Sequence, residues 1–450
     1  MKQFLCGIGL LASAVLSPCM AGSTLTLSLD QAIERALQID PRISEKQHFV
    51  SKAKALLEEA KSYGDVSADI TLIAGITNGL EGGFYKADGQ TPRSDRYDFD
   101  SLSLLTTLQF NVIKPLYTFG KLENYGAAAK SNIAVKSGDV QIQRNATVLD
   151  VKRAYYGYLS ARDSRKTLES VDKRLASAID LVSEWIEEGE GDVSQSNLYA
   201  LQAGRAVLGR YMAQATGLEN VALAGLKMLS GIESDVEVEL LDKAIRPVEL
   251  PALTEEELRE NAMTQRPEIA QVNAGLTAKR ALLEAKKAEK RPNIFVGFIG
   301  MAANSTNRER LDNPYIADPF NDYGAMPLLG LSWKWADGVQ TAKIRQAEAE
   351  LNAVMEKARL AKVGIPFQVA EQYYQVHAYH EAVDKLAEGS RAARRWMVAS
   401  FADFEAGLEK PEQIILALQS YVLAHTDYLK TTFDYNMYVA QLMNVTGEKQ

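Results

Sequence analysis

Apolar positions along this chain repeat with two different periods, and each period marks its own segments. Ile70, Leu72, Ala74 and Ile76 alternate with Thr71, Ile73, Gly75 and Thr77. Leu102, Leu104, Thr106, Leu108, Phe110 and Val112 alternate with Ser103, Leu105, Thr107, Gln109 and Asn111. Ile294, Val296 and Phe298 lead a third run, and Leu329, Leu331, Trp333 and Trp335 alternate with Gly330, Ser332 and Lys334 in a fourth. Period two with one apolar face and small or polar residues on the other predicts β-strands, over about 66–78, 101–113, 292–301 and 327–336. Elsewhere the spacing is three and four: Leu168, Val171, Leu175, Ala178, Val182 and Trp185, then Ile415, Leu418, Val422, His425, Leu429 and Thr432. That is a coiled-coil seam. It predicts helices over about 28–64, 121–230, 254–290 and 338–445, the two long stretches each folding back at a glycine-containing turn. Legs of ~50–60 residues at 1.5 Å per residue reach ~75–90 Å, more than a compact domain uses.

The elements come in two copies. Leu27–Ile43 recurs as Leu253–Ile269 in constant register: Glu34 matches Glu260, Ala36 matches Ala262, and Pro41 matches Pro267. The same offset of 226 places Ala55-Leu56-Leu57-Glu58 on Ala281-Leu282-Leu283-Glu284. A duplication follows, with one repeat over 22–245 and a second over 246–450. Each opens on a capping box, Ser28 with Gln31 and Thr254 with Glu257.

Four strands do not close a barrel, and in lipid an open sheet leaves edge N–H and C=O groups unpaired at several kcal/mol each. If the strands lie in a membrane, the chain oligomerises; three copies supply twelve strands, an even number in the known range. Tyr117, Phe119, Trp333 and Trp335 stand where an aromatic girdle sits. The polar, glycine-rich segments at about 78–100 and 301–327 read as external loops.

Composition narrows the classes. Apolar residues are 46% and charged residues 24% of 450, ordinary for a folded chain. Lys2 followed by the apolar run Phe4–Leu16 and the small-x-small Cys19-Met20-Ala21 reads as a signal peptide over 1–21. Leu16-Ser17-Pro18-Cys19 departs from a lipoprotein box at Pro18. Both cysteines fall in this segment, so the exported chain has no thiol chemistry. A net charge of −8 argues against nucleic acid as a partner. His377 and His380 lie three apart beside Glu381, which exposed helix positions explain without a metal. No G-x-S-x-G, H-E-x-x-H or P-loop occurs, so neither enzyme chemistry nor a cofactor is expected.

At this point the chain resembles the TolC-like outer-membrane efflux proteins. The residues that carry the resemblance are Asp40-Pro41-Arg42-Ile43 and Arg266-Pro267-Glu268-Ile269, the strand exit Lys114-Pro115-Leu116-Tyr117-Thr118-Phe119-Gly120-Lys121, and the turns around Gly189 and Gly407. The resemblance implies a homotrimer in the outer membrane of a Gram-negative bacterium, mainly α with a β-barrel part. A twelve-stranded barrel would be continued by a long periplasmic α-helical barrel. It implies a passive exit duct for small molecules, coupled to an inner-membrane pump through a periplasmic adaptor. A protein-secretion duct, or an envelope coiled coil without a pore, are the alternatives. The helix tips would carry adaptor docking and the aperture: Glu187, Glu188, Gly189, Glu190 and Asp192 in one, and Phe404, Glu405, Gly407, Glu409 and Glu412 in the other. Gln195, Gln413 and Leu416 stand where some members carry aspartates, so that particular acidic ring does not transfer.

Overall fold

The computed structural model describes residues 25–80, 90, 97–189, 193–308, 310, 315, 318–335 and 337–448. The signal peptide expected over 1–21, with Cys19, lies outside the described residues, as does most of the first expected external loop, 81–89 and 91–96.

Each half opens with two short helices, α1 (Leu29–Ile39) and α2 (Pro41–Ser62), then α5 (Glu255–Gln265) and α6 (Pro267–Ala288). Both capping boxes form: Ser28 Oγ accepts from Gln31 N at 3.2 Å, and Thr254 Oγ1 from Glu257 N at 3.4 Å. The break between paired helices falls at Asp40 and Arg266, because a proline follows each and starts the next helix without needing an N–H. Two strands come next in each half: β2 (Ser67–Leu80) and β3 (Tyr97–Tyr117), then β5 (Asn293–Ser305) and β6 (Tyr323–Ser332). The helices α1 and α5, α2 and α6, and the strands β2 and β5, β3 and β6 each begin 226 residues apart.

Two long hairpins complete the halves, α3 (Lys121–Glu188) with α4 (Gln195–Ser230) and α7 (Asp337–Glu405) with α8 (Pro411–Thr446). Their longest legs exceed the expected length: α3 has 68 residues and α7 has 69, about 100 Å at 1.5 Å per residue. The strands differ from expectation as well. β3 runs well past 113 through Pro115, and β6 stops at Ser332, short of Trp333 and Trp335. A parallel pair over three residues each, β1 (Leu25–Leu27) and β4 (Val238–Leu240), has no counterpart in the sequence reading. Three alternating residues are too few for period two to register.

Helices pack side by side as a palisade. Near the sheet the neighbours run α2, α3, α6, α7, and toward the hairpin turns α4, α3, α8, α7. Three apolar clusters hold it. One joins the hairpin ends through Leu175, Val182, Leu201, Phe401, Phe404 and Ile414. A second sits under the β1–β4 pair with Tyr155 and Leu226 at its centre, and a third lies between α5, α7 and α8 around Val369, Tyr435 and Leu442.

The two junctions between paired helices use opposite charges. At the first, Asp40 is buried; it accepts from Thr147 Oγ1 at 2.6 Å and from Arg42 Nη2 at 2.8 Å, while Arg42 Nη1 reaches Asp150 at 2.9 Å. Burial would raise the Asp40 pKa, but the hydrogen bonds from Arg42 and Thr147 outweigh it and hold the carboxyl below the usual aspartate value. At the second, the buried group is Arg266, which donates to Glu268 Oε1 at 2.9 Å and Gln368 Oε1 at 2.8 Å.

Candidate functional site

The four long strands form one antiparallel sheet in the order β2-β3-β5-β6. Its register decides which residues share a face. Ile70 pairs with Phe110, Leu72 with Leu108 and Ile76 with Leu104. Val112 pairs with Phe298, then Phe298 with Pro327, Val296 with Leu329 and Ile294 with Leu331. Directly opposed residues lie on one side of a sheet, so these side chains make one largely apolar face, interrupted by Lys114 at the helix end and by Thr106 and Asn304 toward the other. It stays exposed on the single chain: Ile70 is 73% accessible, Leu72 67% and Leu329 73%. The other face departs from the expected small and polar character. It carries Asp69, Thr71, Gln109 and Asn111 on β2 and β3, but Phe295, Ile299, Met301, Met326 and Leu328 on β5 and β6. Both outer strands, β2 and β6, have one unpaired edge.

Glycines set the spacing within this sheet. A Cβ on Gly300 would fall 2.1 Å from Phe110 Cζ, and one on Gly330 would fall 2.3 Å from Phe295 Cζ. Each aromatic ring lies over the glycine of the neighbouring strand.

The aromatic residues expected as a girdle gather at the end of the sheet that meets the helices. Tyr117 and Phe119 pack edge to face at 4.6 Å, and Trp333 and Trp335 at 5.0 Å. Trp333 Nε1 donates to Lys290 O at 3.0 Å. Phe119 adopts φ 52° and Gly120 φ 85°, a left-handed pair that turns the strand exit sharply into α3. For phenylalanine that conformation costs about 1–2 kcal/mol, and only Gly120 takes it freely.

At the opposite end, about 100 Å away along α3, the two hairpin turns lie side by side. Gly189 (φ 72°) ends α3 and Gly407 (φ 70°) follows α7, both in the left-handed conformation of a helix C-cap. Gly407 N donates to Phe404 O at 2.8 Å and Leu408 N to Asp403 O at 2.8 Å, closing the second turn. Asn197 Nδ2 donates to Glu412 Oε1 at 2.5 Å and ties the turns together. Glu187, Glu188, Gly189, Glu405, Gly407 and Glu412 are exposed, and Glu409 is half-buried. Glu190 and Asp192 lie outside the described residues. Phe404 differs from the rest: it is fully buried and packs edge to face on Trp185 at 5.1 Å. It holds the tips together and offers no surface. Its place in the period of Met397 and Phe401 along α7 was the available signal.

His377 and His380 are also placed. His377 packs on Tyr373 at 4.3 Å and His380 on Tyr435 at 5.5 Å. Among the described residues no group of three His, Cys, Asp or Glu side chains is arranged to hold a metal ion. None of the described helices is long and apolar enough to cross a membrane.

No sequence-family model and no curated protein sequence matches the chain. Solved structures do match in fold. The CmeC outer membrane channel of Campylobacter jejuni superposes with a TM-score of 0.75 at 13% identity, over 93% of this chain and 85% of that one. The outer membrane protein VceC of Vibrio cholerae gives 0.72 at 15% identity, over 93% and 96%. The MtrE outer membrane channel of Neisseria gonorrhoeae, in its open state, gives 0.72 at 16% identity, over 93% and 89%. The fold is that of these outer-membrane channel subunits.

Proposed function

We propose that the chain is one subunit of a homotrimeric outer-membrane exit duct, a passive conduit for small molecules that an inner-membrane pump delivers through a periplasmic adaptor. The observation that carries this reading is the sheet. One face is largely apolar and exposed, and both outer strands have an open edge. In lipid the apolar face is at home but the open edges are not. A β6 edge meeting the β2 edge of the next copy, head to tail, satisfies both, and three copies give twelve strands.

The helices make the same demand. α2, α4 and α7 stand at the margins of the palisade and leave apolar side chains exposed: Leu56 and Tyr63, Leu218 and Val221, Leu360 and Phe367. The fold shared with CmeC, VceC and MtrE supports the outer-membrane reading. In such a ring the acidic turns at Glu187, Glu188, Glu405 and Glu412 sit at the periplasmic mouth, where an adaptor docks and where threefold repetition favours cations.

Strand register supplies the experiment. The apolar face uses even-numbered residues on β2 and odd-numbered residues on β6, so in a closed ring Leu329 shares its face with Ile70 and Leu72 of the neighbour and never with Thr71. No cysteine occurs after Cys19, so introduced pairs report cleanly. Leu329→Cys with Ile70→Cys, or Leu329→Cys with Leu72→Cys, is expected to cross-link into a covalent trimer in outer membranes. Leu329→Cys with Thr71→Cys is not. Absence of cross-links from Leu329→Cys to cysteines placed at each even-numbered β2 position from 70 to 76, with the protein at normal levels, removes the closed-ring reading. Reversing Glu187 and Glu188 together to lysine is expected to block export while the trimer stays intact; unchanged drug sensitivity removes docking at the tips.

A further inference from the structure

A cavity of about 1070 Å³ lies where the sheet meets the helices. Its lining draws on all four helices of the palisade, α2, α3, α6 and α7, and on Ile113, Phe295 and Ser332 of the sheet. Those three strand residues belong to the face opposite Ile70 and Phe110. A single hollow lined by four consecutive helices means that the palisade wraps around it, so it lies on the concave side. The cavity therefore backs away from the lipid-compatible face.

Its charge is one-sided. Lys121, Lys279, Arg291, Lys334 and Lys343 line it, against Glu59 and Glu289. Both carboxylates are already engaged within the wall. Glu289 accepts from Lys286 Nζ at 3.0 Å, from Gln340 Nε2 at 3.0 Å and from the Tyr125 hydroxyl. Glu59 Oε1 accepts from the Tyr63 hydroxyl at 3.0 Å. Of these cations only Lys279 has a carboxylate partner among the described residues, Glu350 at 2.6 Å. Lys121 donates to the neutral Asn293 Oδ1 at 3.0 Å, and Arg291 points at Phe119 O at 3.4 Å. Lys334 and Lys343 are exposed and make no hydrogen bond or ion pair among the described residues. Lys334 stands between Trp333 and Trp335, which anchor the strand exit, so the chain turns a cation toward the hollow at the level of the aromatic cluster.

We propose that this hollow is an anion-collecting vestibule at the upper end of the helical part, a site that takes small multivalent organic anions. It rests on the duct reading for its consequence: in a ring three such hollows face one lumen. The duct then carries opposite charges at its two ends, acidic at the turns and cationic below the sheet. Like-signed side chains in a concave, partly desolvated wall focus the field and concentrate counter-ions. The site thus favours cargo bearing carboxylate, sulfonate or phosphate groups.

The test uses the full chain in detergent and the trisulfonated dye pyranine, followed by fluorescence anisotropy at low and high salt. The triple variant Lys121→Gln, Lys334→Gln and Lys343→Gln is expected to bind roughly tenfold more weakly or worse. A control that removes three exposed cations elsewhere, Lys166→Gln, Lys243→Gln and Lys385→Gln, is expected to bind as the parent does. Equal binding by parent and lysine variant, or equal loss in the control, overturns the proposal. A lipid phosphate as the true ligand would show as displacement of the dye by phosphatidylglycerol micelles but not by citrate, which also overturns it. The two readings fail separately. Lysine-dependent binding by a protein that never assembles keeps the vestibule and removes the duct, whereas a trimer without such binding does the reverse.

Discussion

Phe404 offers the sharpest separation between a packing role and a surface role at the tips. Its side chain is fully buried, packs edge to face on Trp185 at 5.1 Å, and belongs to the cluster with Val182, Leu201, Phe401 and Ile414. Truncation to alanine removes a buried aromatic and leaves a cavity, at a cost of about 3–5 kcal/mol. Part of that is the ring pairing, worth about 0.5–1.5 kcal/mol. The loss is local, because the cluster ends near Leu168 and Ala215 and neither reaches the sheet nor the other two clusters. Local opening of the tips should therefore become easier by the whole amount, while the remainder of the molecule is unaffected. At 1.4 kcal/mol per tenfold, amide exchange in 182–201 and 397–418 should accelerate by about a hundredfold to several thousandfold in Phe404→Ala. Phe404→Leu, which keeps most of the volume, should show a small fraction of this. Native-state hydrogen exchange with peptide resolution makes the comparison. A change below about tenfold in Phe404→Ala, or one spread evenly over α3, α7 and the sheet, refutes the reasoning.

Three further outcomes follow from named contacts. His425 lies between the rings of Tyr421 and Tyr428 and bonds Ser390 Oγ at 2.8 Å; burial lowers its pKa below the ordinary 6.5. The unfolded chain then binds the proton more readily, so the stability this residue contributes is complete above pH 6.5 and is lost as pH falls through the lower folded value. His425→Gln should flatten the melting temperature between pH 7.5 and 5, and an unchanged slope counts against it. Gly300→Ala should cost about 1–3 kcal/mol by displacing the Phe110 ring. Gly75→Ala, where a Cβ meets open space, should change little; heat-modifiability on gels reads both. Asp40→Ala removes the buried acceptor of Thr147 and Arg42 together with a helix cap, at about 2–4 kcal/mol. A melting temperature within a degree of the parent would show the cluster to be dispensable.

The sequence carried the fold well where a period ran long. The strands of ten or more residues and the helices of thirty-six or more could be read from spacing alone, and the offset of 226 tied the halves together. Short elements left no such trace, hence the missed β1–β4 pair. Strand ends were misjudged because the aromatics Trp333 and Trp335 continue the alternation after the ladder has stopped, while Pro115 sits inside a strand that spacing alone would end before it. At the tips, the acidic residues could be located but not sorted. Phe404 and Glu405 are neighbours in sequence, and only the helical phase against Phe401 and Met397 buries one and exposes the other. The cationic hollow was invisible, since Lys121, Arg291, Lys334 and Lys343 come from both halves and meet only when the palisade curves.

The duplication also bears on how copies would meet. Inside one chain, α3 of the first repeat contacts α6 of the second through polar links: the Tyr125 hydroxyl donates to Glu289, and Gln271 Nε2 reaches Asp139 and Val135 O. In a closed ring, α7 meets α2 of the next copy in the matching way. At the repeat offset of 226, the α2 residues standing for Glu289 and Gln271 are Tyr63 and Glu45. Neither preserves the group that makes the internal link: a carboxylate becomes a phenol, and a donor amide becomes an acceptor. The six near-equivalent contacts of such a ring would therefore alternate between two chemistries on one geometry. The inverted pair at Asp40 and Arg42 against Arg266 and Glu268 follows the same rule, with helix positions kept and charges exchanged. Divergence of this kind penalises an α2 edge that tries to take the place of α6, because Glu45 sets a second carboxylate against Asp139 and Tyr63 replaces the charged acceptor of Tyr125 with a neutral one. It leaves the α7 and β6 margin as the counterpart of the α2 and β2 margin, the one pairing that closes a ring.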